Sequence, residues 1–267
     1  MVKALVIRAA GTNCDVEVVR GFTLAGAKAD VVHLNRLIAE PQRLDDADIV
    51  MLPGGFAHGD DIASGRIFAM HLRERLYEPL RAAVERGACV AGICNGFQVL
   101  VQVGLVPGTE GGEPLPVGAP PKQRLALTVN EKARYMDCWS PMLIESSSPC
   151  VWTKGLDEYG PDAMMYPSGH GEGRLTADSE ATLDALEQNG QVALRYGDNF
   201  NGSARAIAGV CDRSGRVFGM MPHPDRFLEW NRHPFWTRLA ASVRRGPAPG
   251  LRLFMNAVEA ASRSGVS

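Results

Sequence analysis

The stretch from Ala88 to Val101 constrains this chain more than any other. An apolar run, Ala88-Cys89-Val90-Ala91-Gly92-Ile93, ends at Cys94 and gives way at once to a helical one, Asn95-Gly96-Phe97-Gln98-Val99-Leu100-Val101. That order predicts a strand, a sharp turn and a helix. A small nucleophile at such a turn is lifted clear of the sheet, and Gly92 and Gly96 leave room for the tight backbone and for a substrate, the G-x-C-x-G form of a nucleophile elbow. The thiol would stand at a helix N-terminus, where the dipole and unpaired N–H groups favour an anion. A buried cysteine ordinarily packs as a small hydrophobe. The two flanking glycines and the strand-to-helix switch single Cys94 out as a nucleophile instead.

The preceding residues alternate in the same way. Residues 2 to 8 read as a buried strand, and after the loop Gly11-Thr12-Asn13-Cys14 an N-capping Asp15 can start a helix ending near Gly26. Val31 to Leu34 forms a second strand and Asp48 to Leu52 a third, stopped by Pro53-Gly54-Gly55. Leu72, Leu76, Leu80, Ala83 and Val84 then give a helix-period stripe that Pro79 kinks or divides. Short apolar strands alternating with helices predict an α/β fold, a mostly parallel sheet covered on both faces with function at the carboxyl ends of its strands. Gly54-Gly55 and Cys94 both fall at such ends.

Residues 107 to 123 are rich in proline and glycine and read as an exposed loop insertion. Beyond them the pattern turns β-rich. Leu125 to Val129, Met142 to Glu145, Val192 to Tyr196, Ala204 to Val210 and Val217 to Met220 are predicted strands, several of them antiparallel additions to the same sheet. Closing helices are expected near 234–243 and 249–262. With 267 residues, the chain reads as a single domain, 1–267, carrying the 107–123 insertion and a C-terminal extension over 229–267, whose Asn231 to Trp236 stretch reads, like the insertion, as surface decoration.

Composition narrows the chemistry. A formal net charge of -2 with 22% charged residues offers nothing to nucleic acid or to another polyanion. The first apolar segment, Val2 to Ile7, is too short to span a bilayer and lacks a signal-cleavage pattern, so a cytoplasmic protein without membrane contact is expected. Six dispersed cysteines form no C-x-x-C pair and have no histidine at zinc-finger spacing, so neither a zinc site nor a disulfide framework is expected. Cys94 is the reactive thiol the local sequence predicts, and Cys14 is the second candidate.

A cysteine nucleophile needs a base, a group to orient it and donors for an oxyanion. His223 is the best-placed histidine: it follows the apolar strand Val217 to Met221, and Asp225, two residues later, can hold its tautomer. Gly54-Gly55 supplies a loop that backbone can approach closely, and with the N–H of Asn95 it makes a candidate oxyanion hole. His58-Gly59-Asp60-Asp61 extends that loop as a partner surface or lid.

Together, Gly92 to Gln98, Pro53-Gly54-Gly55-Phe56 and His223-Pro224-Asp225 resemble the class I, triad-type glutamine amidotransferases, in the same chain order. Further landmarks look like the glutaminase components of phosphoribosylformylglycinamidine synthases: Gly11 to Asp15, Gly54 to Asp60, Gly169-His170-Gly171-Glu172-Gly173, and Asn201-Gly202-Ser203 followed by Ile207-Ala208-Gly209. The resemblance implies a flavodoxin-like fold in which Cys94 attacks the amide of L-glutamine and His223 moves protons. It implies that Gln98, His170, Gly171 and Glu172 help hold the glutamine, Glu172 by pairing with the α-ammonium group. It also implies no cofactor or metal in this chain. ATP and magnesium would sit on a synthetase partner that uses the ammonia in purine synthesis, with a small accessory subunit. The family usually has glutamate where this chain has Asp225, so the contact to His223 is expected to be longer or to need a backbone shift. Two other readings stay open: another α/β cysteine hydrolase, peptidase-like or DJ-1-like, and a non-catalytic subunit that has kept the fold.

Overall fold

The computed structural model describes residues 1–264. Its first half alternates β1 (Lys3–Arg8), α1 (Asp15–Leu24), β2 (Lys28–His33), α2 (Leu34–Ala39), β3 (Ile49–Leu52), α3 (Arg66–His71), α4 (Tyr77–Glu85), β4 (Cys89–Ile93) and α5 (Asn95–Val103). The second half adds β5 (Leu125–Thr128), β6 (Met136–Ile144), β7 (Met165–His170), β8 (Arg174–Ala177), α6 (Glu180–Gln188), β9 (Val192–Tyr196), β10 (Ile207–Cys211), β11 (Val217–Met220) and α7 (Pro249–Ser264). Among the described residues, nine strands form one sheet in the order β2-β1-β3-β4-β11-β10-β9-β6-β7. The pairs from β2 through β11 are parallel. From β11 to β7 they are antiparallel.

The parallel half, β2-β1-β3-β4-β11, has the doubly wound flavodoxin-like order, with its topological switch between β1 and β3. Right-handed crossovers that leave β1 in one direction and β3 in the other put their helices on opposite faces. Every residue of β3, β4, β10 and β11 is buried, as strands covered on both faces require. The helix over α1 is α7, whose Phe254 meets Phe22 edge-on at 4.9 Å between centroids.

Several expectations are corrected. Asp15 is not the N-cap: Cys14 takes that position, and Asp15, the first helical residue, turns inward to pair with Arg8 at 3.0 Å. The helical stripe after residue 65 is divided ahead of Pro79, by a widened π turn at Leu72–Leu76. Pro79 has no N–H to return to the carbonyl four residues back, and the widened turn absorbs that lost bond. β5 does not join the main sheet and pairs with β8 as a separate two-stranded ribbon. β7, β8 and α6 had no sequence expectation. Residues 234–243 form turns, not a helix, because only Leu239 is buried there and a ten-residue helix with no packed face is not stable in water. The closing helix expected near 249–262 is present as α7, and its Leu253, Phe254 and Ala257 are core residues. The 107–123 loop lies against α4, with the Tyr77 hydroxyl donating to the Pro116 carbonyl at 2.7 Å.

Candidate active site

β4 delivers its last residue, Ile93, straight into Cys94, whose φ of 52° and ψ of -108° turn the chain sharply enough for α5 to start at Asn95. A non-glycine residue at positive φ is strained, and such strain is held by its surroundings. Here the Cys94 N–H donates to the Met220 carbonyl on β11 at 2.7 Å. The elbow also needs both glycines. A Cβ on Gly92 would stand 2.3 Å from the Gly96 carbonyl oxygen, and one on Gly96 would stand 2.0 Å from the Leu52 carbonyl oxygen. The Cys94 Sγ lies 3.8 Å from the carbonyl of Gly169, which brings β7 to the nucleophile.

Gly54 is the point where the site converges. The place its Cβ would take is 2.7 Å from His223 Cε1, 3.3 Å from Cys14 Sγ and 3.4 Å from Cys94 Cβ. The β1 and β3 loops meet there, because the Asn13 and Cys14 N–H groups both donate to the Gly54 carbonyl, at 3.3 and 3.2 Å. Thr12 faces Gly55 across a single antiparallel bridge. The flanking bonds of that bridge run from Phe56 N–H to Gly11 and from Asn13 N–H to Gly54, so the Gly55 N–H itself is left over among the described residues. The Asn95 N–H opens α5 and is one of the donors a helix cannot use internally. The Asn95 side chain fixes the two segments relative to one another: it accepts from Ala57 N–H at 3.2 Å and donates to Asp60 at 3.1 Å and to Gln98 at 2.9 Å.

His223 follows β11 and is fully enclosed. The turn Pro224–Arg226 folds Asp225 back toward the ring, giving an Nδ1 to Oδ1 contact of 3.2 Å at the long end of the hydrogen-bond range. The shorter carboxylate therefore does reach the imidazole. Burial alone would push the imidazolium toward neutrality, but the Asp225 carboxylate, the charge Cys94 carries as a thiolate, and Cys14 outweigh it and hold the His223 pKa well above its ordinary value.

Gln98, His170, Gly171 and Glu172 come together around one loop. Gln98 Nε2 donates to the Glu172 carbonyl, and the Glu172 carboxylate accepts from the Ser64 N–H at 3.0 Å. Gly171 accepts from the Asn130 N–H at 2.9 Å, and the Tyr135 ring lies beside it. Asn130 is the residue sequence reasoning missed. Its amide donates to the His170 carbonyl at 2.8 Å and its Oδ1 faces both His170 Nδ1 at 3.1 Å and the Gly173 N–H at 3.2 Å. Its local bonds, to the Arg134 carbonyl at 2.9 Å and from the Ala133 N–H, make an ordinary turn, and the partners that place it in the site lie about forty residues away in sequence. Gln98 and His170 thus build the loop, and Glu172 presents a carboxylate at its turn.

His170 is buried against Phe200, ring on ring at 5.7 Å. Burial, then the charge on His223, lower its pKa to about 4. The folded imidazole therefore stays neutral to about pH 4, whereas in the unfolded chain it takes a proton near pH 6.5. Stability from this residue is intact above pH 6.5 and falls as pH drops, by about 3 kcal/mol at pH 4. Urea unfolding at pH 7.5 and pH 4.5 should show that loss in the native chain and a flatter response in His170→Gln. An equal pH slope in both would remove His170 as its source.

Residues 1–259 match the family described as CobB/CobQ-like glutamine amidotransferase domain. The chain is 38% identical over 264 residues to the phosphoribosylformylglycinamidine synthase subunit PurQ of Dehalococcoides mccartyi, covering 97% of each chain. It is 39% identical over 240 residues to the subunit of the same name from Treponema denticola, covering 84% of this chain and 87% of that one. Among solved structures, a chain of PurLQS from Thermotoga maritima superposes with a TM-score of 0.67 at 27% identity, over 97% of this chain and 98% of that one.

Proposed function

The chain belongs to the CobB/CobQ-like glutamine amidotransferase family, and on that premise we propose that it is the glutaminase subunit of phosphoribosylformylglycinamidine synthase, with Cys94, His223 and Asp225 as its catalytic residues. The observation that carries the assignment of residues is the convergence of Cys94, His223 and the Gly54 loop on one point, within reach of an oriented carboxylate.

In this reading the Cys94 thiolate attacks the side-chain amide carbon of L-glutamine. The carbonyl oxygen becomes an oxyanion, which the unpaired N–H groups of Gly55 and Asn95 receive. Each such donor is worth about 3–4 kcal/mol of transition-state stabilisation. His223, an imidazolium beside Asp225, gives its proton to the leaving nitrogen as the tetrahedral intermediate collapses, and ammonia departs from a glutamyl thioester. The neutral imidazole then takes a proton from water, which attacks the thioester and frees glutamate and Cys94. Asp225 supports the charged form of His223 in each half of the cycle. The loop around Glu172 binds the amino-acid end of glutamine, with the Glu172 carboxylate facing its α-ammonium group.

The ammonia passes to an ATP-dependent synthetase subunit that converts formylglycinamide ribonucleotide to formylglycinamidine ribonucleotide. ATP and magnesium belong to that partner, this chain needs no cofactor for the amidase step, and a small accessory subunit completes the complex. Among the described residues no helix is long and apolar enough to cross a membrane. We place the complex in the cytoplasm.

Glutamate release from glutamine by this chain should rise strongly when its synthetase, ATP, magnesium and formylglycinamide ribonucleotide are added. Hydrolysis that ignores the synthetase would keep the amidase chemistry and remove the purine role.

A further inference from the structure

One thiol in the site has no part in the amidase chemistry. Cys14, at the start of α1, is 99% buried and its Sγ lies 4.0 Å from His223 Nδ1. The Asp225 Oδ1 contacts the same nitrogen at 3.2 Å, and one ligand atom from each of Cys14, His223 and Asp225 falls within 4.8 Å of the others. The remaining Asp225 oxygen, Oδ2, is buried without a partner among the described residues.

We propose that Cys14, His223 and Asp225 form a binding site for a divalent cation of the zinc type, and that its occupancy shuts the glutaminase off. The donor set is one sulfur, one imidazole nitrogen and one carboxylate oxygen, which suits borderline metals such as Zn²⁺ and not hard cations. Tetrahedral zinc with a thiolate at about 2.3 Å and an imidazole at about 2.0 Å holds those two ligand atoms about 3.5 Å apart, so the pair needs a closure of well under 1 Å. Three protein ligands leave the fourth position for water.

A cavity of about 250 Å³ lined by Glu17, Arg20, Asp225, Arg226, Leu228, Glu229 and Arg232 lies just outside the site, but the Asp225 side chain itself has no exposed surface, so the Pro224–Arg226 turn must open for a metal to enter. Glu17 Oε2 is another buried oxygen without a hydrogen-bond partner among the described residues, which favours a cation there against the positive charges of Arg20 and Arg232 on the same lining. Arg226 works in the opposite sense. Its Nη2 donates to Cys14 Sγ at 3.4 Å, so the guanidinium must turn aside when the metal enters. Sequence spacing gave no hint of this site, because Cys14 and His223 are 209 residues apart.

Metal on Nδ1 explains the loss of activity without touching Cys94. Coordination releases the Cys14 thiol proton and the Nδ1 proton of His223 to solvent, and it fixes the neutral imidazole with its remaining proton on Nε2. That nitrogen then has no lone pair to take a proton from the attacking water, and the carboxylate that supported the imidazolium is spent on the metal. The inhibition rests on the glutaminase reading, whereas the binding does not.

Binding is therefore measured first, on the full chain, by Zn²⁺ competition with a chelating dye and by the thiolate-to-metal charge-transfer absorption of added Co²⁺. One metal per chain is expected, with the Co²⁺ band present in the native chain and in Cys94→Ala but absent from Cys14→Ser. Zn²⁺ affinity should fall at least about tenfold in Cys14→Ser and again in Asp225→Asn, which guards against a single variant that folds poorly. Zn²⁺ should also suppress glutamate release, and a chelator should restore it. No binding to the native chain, or a band lost in Cys94→Ala and kept in Cys14→Ser, would overturn the proposal. Tight binding that leaves glutamate release unchanged would overturn its inhibitory part.

Discussion

Cys94→Ala is expected to abolish glutamine-dependent synthesis by the assembled complex, by roughly 10⁴–10⁶-fold, the usual consequence of removing a nucleophile. The same complex should keep its activity on added ammonia. The substitution is gentle on the fold: alanine keeps the N–H that bonds Met220, and among the described residues the sulfur's one hydrogen-bond contact is long, 3.8 Å to the Gly169 carbonyl. The positive φ at position 94 costs alanine no more than cysteine, since both carry a Cβ. The measurement is the rate of formylglycinamidine ribonucleotide formation with each nitrogen source. Loss of both activities would make Cys94 a structural residue, and retained use of glutamine would move the nucleophile elsewhere. His223→Ala should be nearly as severe. Asp225→Ala should cost less than either, because it acts through His223.

The parts of this site legible in the sequence are those that local chain geometry fixes. The elbow was readable because a strand, a lone nucleophile and a helix are consecutive, and Gly92 and Gly96 are needed by contacts that the elbow itself creates. The parallel half of the sheet was readable for the same reason, since β3 and β4 are continuous apolar runs. Harder to read were β7 and β8. β7 contains Pro167, Ser168 and Gly169 and is held by pairing with β6 across the register Trp139 to Pro167, a feature of the partner strand and not of its own pattern. Asn130 was illegible as a site residue for the same kind of cause, and Cys14, legible as a second candidate thiol, could not be placed beside His223, because those contacts join segments far apart along the chain. The helix expected at 234–243 shows the converse: periodicity without a surface to bury against does not make a helix.

Gly54→Ala should separate the chemistry from the fold. The new Cβ would sit 2.7 Å from His223 Cε1, well inside the ~3.5 Å at which two carbons make contact, so the ring must retreat by on the order of 1 Å. It has little room to do so without leaving Asp225, because Asp225 meets it through one 3.2 Å contact and Cys14 stands on the same side. A displacement of that size at a catalytic group costs about 10²-fold. The expected result is a fall of at least that size in kcat for glutamine, with ammonia-dependent synthesis retained and the thermal midpoint only modestly lowered, as overpacking by one methyl group costs about 1–3 kcal/mol. Gly96→Ala makes the contrast. Its Cβ would meet the Leu52 carbonyl oxygen at 2.0 Å, a clash between backbone segments that only separation of α5 from β3 can relieve. That variant should lose stability, and with it both nitrogen sources. Should Gly54→Ala instead keep the native kcat, His223 cannot be working from the position it holds beside Gly54, and the base would have to be sought among groups that no Cβ at position 54 can touch.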